Sequence, residues 1–138
     1  MSGKHRAYIQ YRLERSAATL DEAKVLAKAG YARGTVNRIY YACFYAVSAL
    51  LLTEGQSSHK HTGVRALFQK GWVRPRRVPT ELGEFYGRML DYRHDADYED
   101  GVDFPEPKVR GWLTDAEQFV SCIAGLVQEH LAAEGAEA

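Results

Sequence analysis

The sequence has little of what would tie the protein to a membrane, a disulfide framework or a metal. Two cysteines in 138 residues are too few for a disulfide scaffold or a cysteine-rich metal site. Its 18 basic and 18 acidic residues cancel, so no global field attracts nucleic acid. No apolar run reaches the roughly 20 residues that a bilayer crossing requires, and the N-terminus has no apolar signal segment. The sequence therefore predicts a cytoplasmic protein without a metal, a cofactor or a membrane anchor.

What the sequence does contain is a strongly apolar stretch from Val36 to Leu51. Its apolar residues repeat at helical spacing, which predicts a core helix. The opposite face carries side chains with an apolar body and a hydrogen-bonding tip, among them Asn37, Tyr41 and Tyr45. Because both faces favour burial, we expect this helix at the centre of a bundle or at an interface between two subunits. In the second case, Asn37, Tyr41 and Tyr45 are the candidate interface residues.

Helical patterns continue along nearly the whole chain, and no strand pattern interrupts them. They predict five helices joined by short loops, which favours an all-α, antiparallel up-and-down bundle of four to five helices. We expect a single domain over 1–138, with a core over about 6–131 and a flexible tail over 132–138. The predicted cap and stop residues are Gly30 after the first helix, Ser58 before the third, Gly71 and Pro75 after the third, and Thr80 before the fourth.

The fourth helix carries an arginine where its apolar stripe requires a hydrophobic side chain. Leu82, Tyr86 and Met89 follow helical spacing, and one further turn reaches Arg93. Such an arginine needs a partner, and Asp97 lies four residues on, on the same face. One interpretation is a structural Arg93–Asp97 ion pair. The other is an arginine presented in a cleft between helices or subunits, where its planar guanidinium binds a phosphate.

A second candidate anion site precedes the third helix, where His59, Lys60 and His61 follow one another. Backbone N–H groups and the dipole at a helix N-terminus favour an anion, so these residues, with Arg93 and Asp97, are candidates for binding a phosphate or nucleotide. A solvated polar cap is the alternative. Zinc is disfavoured because the two histidines have no cysteine nearby.

The only cluster of basic residues surrounds an aromatic residue and comprises Lys70, Trp72, Arg74, Arg76 and Arg77. Arginines around an aromatic ring can hold phosphates while the ring stacks on a base, which makes RNA contact one interpretation. The acidic segment over 95–103 could face the cluster across a subunit boundary, which makes a self or partner contact another. A plain solvated loop is the third.

Three segments, in this order and at this spacing, resemble a known family: NRIYYACFYA, SHKHTGVRALF and RHDADY. Over about 8–131 the chain is similar to the HEPN domain, and in particular to its small stand-alone UPF0332-like members. This resemblance implies a helical bundle that forms a homodimer in prokaryotic toxin–antitoxin or defence systems. It also implies a nucleotidyltransferase as a frequent partner protein.

The resemblance further implies a ribonuclease motif, an arginine followed after four to six residues by a histidine. The arginine falls on Arg93, but the histidine position falls on Tyr98 or its acidic neighbours, so the motif is degenerate here. A tyrosine with a pKa near 10 is protonated at neutral pH and is a poor base. Arg88 and His94 have the literal spacing, but six helical positions turn through about 240° and place them on different faces.

Three functional hypotheses follow from these residues. The first is a HEPN-type module that binds or acts on RNA or nucleotides, paired with a nucleotidyltransferase and carrying a degenerate ribonuclease motif. The second is a non-catalytic homodimeric interaction module. The third is a residual metal-independent ribonuclease in which Arg93 acts with His94 or His61, because a histidine near neutral pKa can accept a proton.

Overall fold

A computed structural model describes residues 3–137 of the chain, and within that range the secondary structure is helical with no strand. The all-α prediction is therefore confirmed. The helices, in chain order, are α1 (Gly3–Lys28), α2 (Ala32–Thr53), α3 (His61–Phe68), α4 (Thr80–Tyr98) and α5 (Glu106–Glu137). A single π-helical turn over Gln69–Val73 continues α3.

The second helix is the centre of the bundle, and it packs against each of the other four helices. Most of its apolar stripe is fully buried, including Ile39, Tyr40, Cys43 and Leu50. α1 contributes Ile9 and Ala23 to this core, and α5 contributes residues at helical spacing such as Ala116, Phe119, Ile123 and Val127. Of the two placements predicted for this helix, the bundle centre is confirmed, and the subunit interface remains a prediction.

α2 is also the one helix within residues 3–137 that is long and apolar enough to span a membrane. Most of its apolar window is buried inside the bundle, as in the core helix of a soluble protein. The high hydropathy of α2 is thus explained by its packing inside the bundle.

Two of the predicted helix caps are wrong, and a third is confirmed. Gly30 adopts a φ of +84° after α1, where its N–H donates to the carbonyl of Ala27. Thr80 is already helical, because the extended Pro79 occupies the cap position of α4. Ser58 also lies outside the cap of α3: its Oγ accepts a hydrogen bond from the N–H of Lys60, and Lys60 is the capping residue.

The chain does not leave the helix at Gly71, as the sequence predicted, because the π-helical turn carries it to Val73. The N–H of Arg74 donates to the carbonyl of Gln69 at 2.9 Å, five residues back. This turn lies close to α4 at Gly83, where an added Cβ would come within 2.7 Å of Val73 Cγ1. One turn on, a Cβ at Gly87 would come within 2.5 Å of the Arg65 guanidinium. Gly83 lets α4 pack closely against the π-helical turn that follows α3, and Gly87 leaves room for the Arg65 side chain beside α4.

The last helix is longer than its sequence pattern suggested. α5 continues through Glu137, so most of the predicted flexible tail over 132–138 is helical, and residue 138 lies outside the described residues. The tail is rich in alanine and glutamate, which have high helix propensity and favour this extension of the helix.

Candidate functional site

Arg93 on α4 occupies a nearly buried position, with 8% of its surface exposed. Its Nη1 lies 3.4 Å from Oδ2 of Asp97, which confirms the predicted ion pair. The guanidinium carbon lies 5.2 Å from the ring centroid of Tyr40 and 5.8 Å from that of Tyr41. The Nε atom is buried and has no hydrogen-bond partner among the described residues. Among the described residues the guanidinium makes one hydrogen bond, from Nη1 to Asp97, so its Nη atoms keep unused donors for an anion.

His61, the first residue of α3, is held by the same two tyrosines. Its Nδ1 shares a hydrogen bond of 2.8 Å with the Tyr40 hydroxyl, and its ring lies 5.7 Å from that of Tyr41. Burial, and then the positive charge of Arg93, lower the pKa of His61 below its usual value. Burial raises the pKa of Tyr40 to about 12, so that hydroxyl stays protonated. His61 is thus neutral at physiological pH and has a fixed ring orientation.

Around these residues the structure forms a cleft of about 920 Å³, hereafter the Arg93 cleft. It brings together two groups that lie about 30 positions apart in the sequence. Its lining residues are Tyr41 from α2, His59, Lys60, His61, Thr62 and Arg65 at α3, and Leu90, Asp91, Arg93, His94, Asp95 and Tyr98 from α4. The candidate catalytic and phosphate-binding residues from the sequence therefore share one site, with Asp97 attached to it through Arg93.

Sequence reasoning missed two members of this cleft, Arg65 and Asp91. Nη1 of Arg65 lies 3.6 Å from Oδ1 of Asp91, so this ion pair joins α3 to α4. Helical spacing could have found both, because Arg65 is four residues after His61, and Asp91 is three before His94.

His94 and Tyr98 lie at the outer edge of the cleft. Their ring centroids are 5.0 Å apart, and Tyr98 is 72% exposed. Arg88, on the solvent side of α4, packs its guanidinium 5.9 Å from the Phe85 ring. This placement agrees with the prediction that Arg88 and His94 lie on different faces of the helix.

The basic cluster over 70–77 does not present Trp72 to a base, which corrects one interpretation of this segment. Trp72 is only 6% exposed, and the guanidinium carbon of Arg77 lies 3.5 Å from its ring centroid. Arg77 in turn donates from both Nη atoms to the Glu54 carboxylate, at 3.1 and 2.7 Å. This contact lowers the pKa of Glu54. The other basic side chains of the cluster, Lys70, Arg74 and Arg76, remain exposed.

The acidic segment over 95–103 lies at the other end of α2, where Nη2 of Arg33 donates to the Val102 carbonyl at 2.8 Å. The 22 residues of α2 span about 33 Å, so the acidic segment and the basic cluster do not meet within one chain. A contact between them in two copies stays a prediction.

The predicted interface residues on α2 are half-buried. Arg38 lies over the Tyr41 ring at 5.3 Å, and Arg15 from α1 lies over the Tyr45 ring at 5.4 Å. The Asn37 side-chain oxygen accepts hydrogen bonds from the Arg38 guanidinium at 3.0 and 2.7 Å. On this face of α2, each of the two tyrosines is therefore covered by an arginine, and Tyr41 also lines the Arg93 cleft.

No group of three or more His, Cys, Asp or Glu side chains within residues 3–137 has the geometry of a metal site.

Comparison with known proteins places this geometry in context. The family model for the HEPN domain matches residues 9–127. A UPF0332 protein of Thermotoga maritima is 45% identical over 121 residues, which cover 88% of this chain and 92% of that protein. Two proteins of Methanocaldococcus jannaschii, each named "putative toxin", are also similar. One is 32% identical over 127 residues, covering 91% of this chain and 93% of its own, and the other is 27% identical over 121 residues, covering 88% and 82%.

Proposed function

We propose that this chain, which belongs to the HEPN domain family, is a toxin-like module that binds single-stranded RNA at the Arg93 cleft. The observation that carries the proposal is the placement of Arg93, His61 and Lys60 around one open cleft. The two relatives named as toxins support the toxin-like part of it. The proposal concerns binding and not cleavage, because Tyr98 occupies the position where the ribonuclease motif has a histidine.

The binding step depends on the environment of Arg93. A guanidinium that is nearly buried on two tyrosine rings acts in a medium of lower effective dielectric than water, where its attraction for a phosphate is stronger. Asp97 is only weakly bonded to it at 3.4 Å, so a phosphate oxygen can compete for the same donors. Lys60 and His59 at the opening of the cleft add donors for the neighbouring phosphates.

Equilibrium binding of the parent protein to a labelled pool of mixed single-stranded RNA tests this function directly. The apparent affinity should fall as salt is raised, because each phosphate that the protein neutralises releases a counterion. A parent protein that binds no RNA at low salt would overturn the proposal.

We further propose that the protein is one half of a prokaryotic toxin–antitoxin or defence pair in the cytoplasm, with a nucleotidyltransferase as its partner. Membership in the family and the toxin names of the relatives support this setting. Co-expression with the product of a neighbouring nucleotidyltransferase gene, followed by joint elution, is its test.

A second candidate function is residual ribonuclease activity, and the geometry of His61 favours it. In the tautomer in which Nδ1–H donates to Tyr40, Nε2 keeps a lone pair. It could accept the proton of an RNA 2′-hydroxyl while the 2′-oxygen attacks phosphorus, with Arg93 stabilising the phosphorane. The bond from phosphorus to the 5′-oxygen then breaks, and the 5′-oxygen takes a proton from water as a 2′,3′-cyclic phosphate forms. His61 would then take the place of the histidine that is absent after Arg93.

The pH dependence of cleavage tests this role of His61. Its pKa is lowered, so the base stays neutral at pH 7, and the rate should fall only when the pH drops below the ordinary titration range of histidine. His61→Gln should lower the rate by about 100-fold or more, whereas His94→Gln at the rim of the same cleft should keep most of it. Cleavage of a labelled RNA by single-turnover kinetics measures both. A rate that is independent of pH, or unchanged in His61→Gln, would contradict the assignment.

A third candidate is an interaction module in which α2 forms a homodimer contact. Half-buried tyrosines with polar tips favour such an interface, because they add large apolar area at a small entropic cost. Tyr41→Ala combined with Tyr45→Ala should then convert a dimer into a monomer, as measured by light scattering. The matched control is the pair Tyr11→Ala and Tyr31→Ala, which removes two tyrosines that are more than half exposed. An equal mass for both double variants would argue against this interface.

A further inference from the structure

A second, smaller pocket lies beside the Arg93 cleft and has no role in the function proposed above. Its volume is about 210 Å³, and it lies between α1, α2 and the segment that leads into α3. This volume is below the 300–1,000 Å³ of typical sites for drug-sized ligands, so it suits a single small ring system.

The lining of this pocket changes from apolar to polar between its floor and its rim. The floor includes Leu51 and Val64, which are buried core residues. Three serine hydroxyls, from Ser48, Ser57 and Ser58, supply donors and acceptors. An apolar floor with hydroxyls at the edge matches a planar heterocycle, which has apolar faces and a hydrogen-bonding perimeter.

The rim carries positive charge next to an exposed aromatic ring. Nη2 of Arg12 donates to the Tyr8 hydroxyl at 2.8 Å, and the guanidinium lies between the rings of Tyr8 and Tyr45, at 5.2 and 5.7 Å. Tyr8 itself is 47% exposed. Aromatic rings that stack bases next to arginines that attract phosphates are typical of single-strand binding.

The pocket and the Arg93 cleft are adjacent and share a wall. His59 lines both of them. Phe44, which lines the small pocket, lies with its ring centroid 4.9 Å from that of His61 in the cleft. Phe44 therefore lies between the small pocket and His61 of the cleft, so the two sites are neighbours.

From this continuity, the size and the polar rim, we infer that the small pocket binds the base of the nucleotide next to the phosphate held at Arg93. The inference rests on the proposed RNA-binding function and adds a base subsite to it. Arg12 then attracts the phosphate beyond that base, and the RNA runs from the Arg93 cleft toward α1.

Two probes of equal charge test the subsite: labelled hexauridylate and a hexamer of abasic ribose phosphates. Ser48→Phe fills the pocket with an aromatic side chain. We expect it to weaken hexauridylate binding about tenfold, or about 1.4 kcal/mol, because one stacked base is lost, and to leave the abasic hexamer unaffected. Ala17→Phe adds the same ring at an exposed position of α1 and should change neither affinity.

Each result separates the subsite from the function on which it rests. If the parent binds both probes and Ser48→Phe changes neither affinity, or changes both equally, the subsite is wrong and RNA binding stands. If the parent binds neither probe, both proposals fail. If Ser48→Phe shifts the mass in solution from that of a dimer to that of a monomer, without any change in RNA affinity, the pocket is instead a contact between copies. Should Ser48→Phe fail to fold by circular dichroism, Ser57→Trp fills the rim from an exposed, non-helical position and gives the same readout.

Discussion

Arg93→Ala is expected to weaken single-stranded RNA binding by about 10- to 100-fold. The substitution removes the guanidinium that is nearly buried on the Tyr40 and Tyr41 rings, and a hydrogen bond to a charged group contributes about 1.5–3 kcal/mol. The slope of the logarithm of affinity against the logarithm of salt should fall by about one, because one phosphate contact is lost. Fluorescence anisotropy at several salt concentrations measures both quantities.

The control for this experiment lies on the same helix. Arg88→Ala removes an equal charge from the solvent side of α4 and should leave the affinity within about twofold. Arg93→Lys keeps the charge without the planar fork and should fall between the parent and Arg93→Ala. Equal affinities for Arg93→Ala and Arg88→Ala would show that RNA does not bind at Arg93, even if the parent binds RNA.

Phe119→Ala is expected to have the largest effect on stability, a loss of about 3–5 kcal/mol in the free energy of unfolding. Phe119 on α5 is fully buried and stacks on Tyr86 with ring centroids 5.9 Å apart and an interplanar angle of 11°. It also contacts the rings of Phe68 and Phe85, at 6.1 and 5.9 Å. Its removal leaves a cavity where α3, α4 and α5 meet, and a domain with a typical 5–15 kcal/mol would lose a large share of its stability.

Urea denaturation followed by circular dichroism measures this loss. Val25→Ala is the matched control, because Val25 is 67% exposed on α1 and its truncation should cost less than about 0.5 kcal/mol. Phe119→Leu should retain part of the packing and lie between the two. A loss below about 1 kcal/mol for Phe119→Ala would contradict the packing of these rings.

Much of the site was predictable from the sequence at the level of single helices. The buried position of Arg93 and its pairing with Asp97 follow from spacing along one helix. The cap at Gly30 follows from the conformational freedom of glycine just after a helix. The resemblance to the HEPN domain is confirmed by the match over residues 9–127.

The features that spacing could not give depend on contacts between segments. The segment around Trp72 has the composition of a base-stacking site. In the structure, however, Arg77 covers the Trp72 ring and is held there by Glu54, 23 residues earlier. Likewise, nothing in the local sequence states that the Tyr40 hydroxyl reaches His61. The first contact joins the end of α2 to the loop before α4, and the second joins α2 to the first residue of α3.

The sequence by itself determined the helices, the family and the identity of the charged residues, because helical periodicity and propensity act over a few neighbouring positions. Only the tertiary structure decided that His61 and Arg93 share a cleft. That proximity depends on how α3 and the π-helical turn after it pack against α4, where Gly83 leaves room for Val73. The proximity of residues about 30 positions apart is fixed by helix packing, which no local pattern encodes.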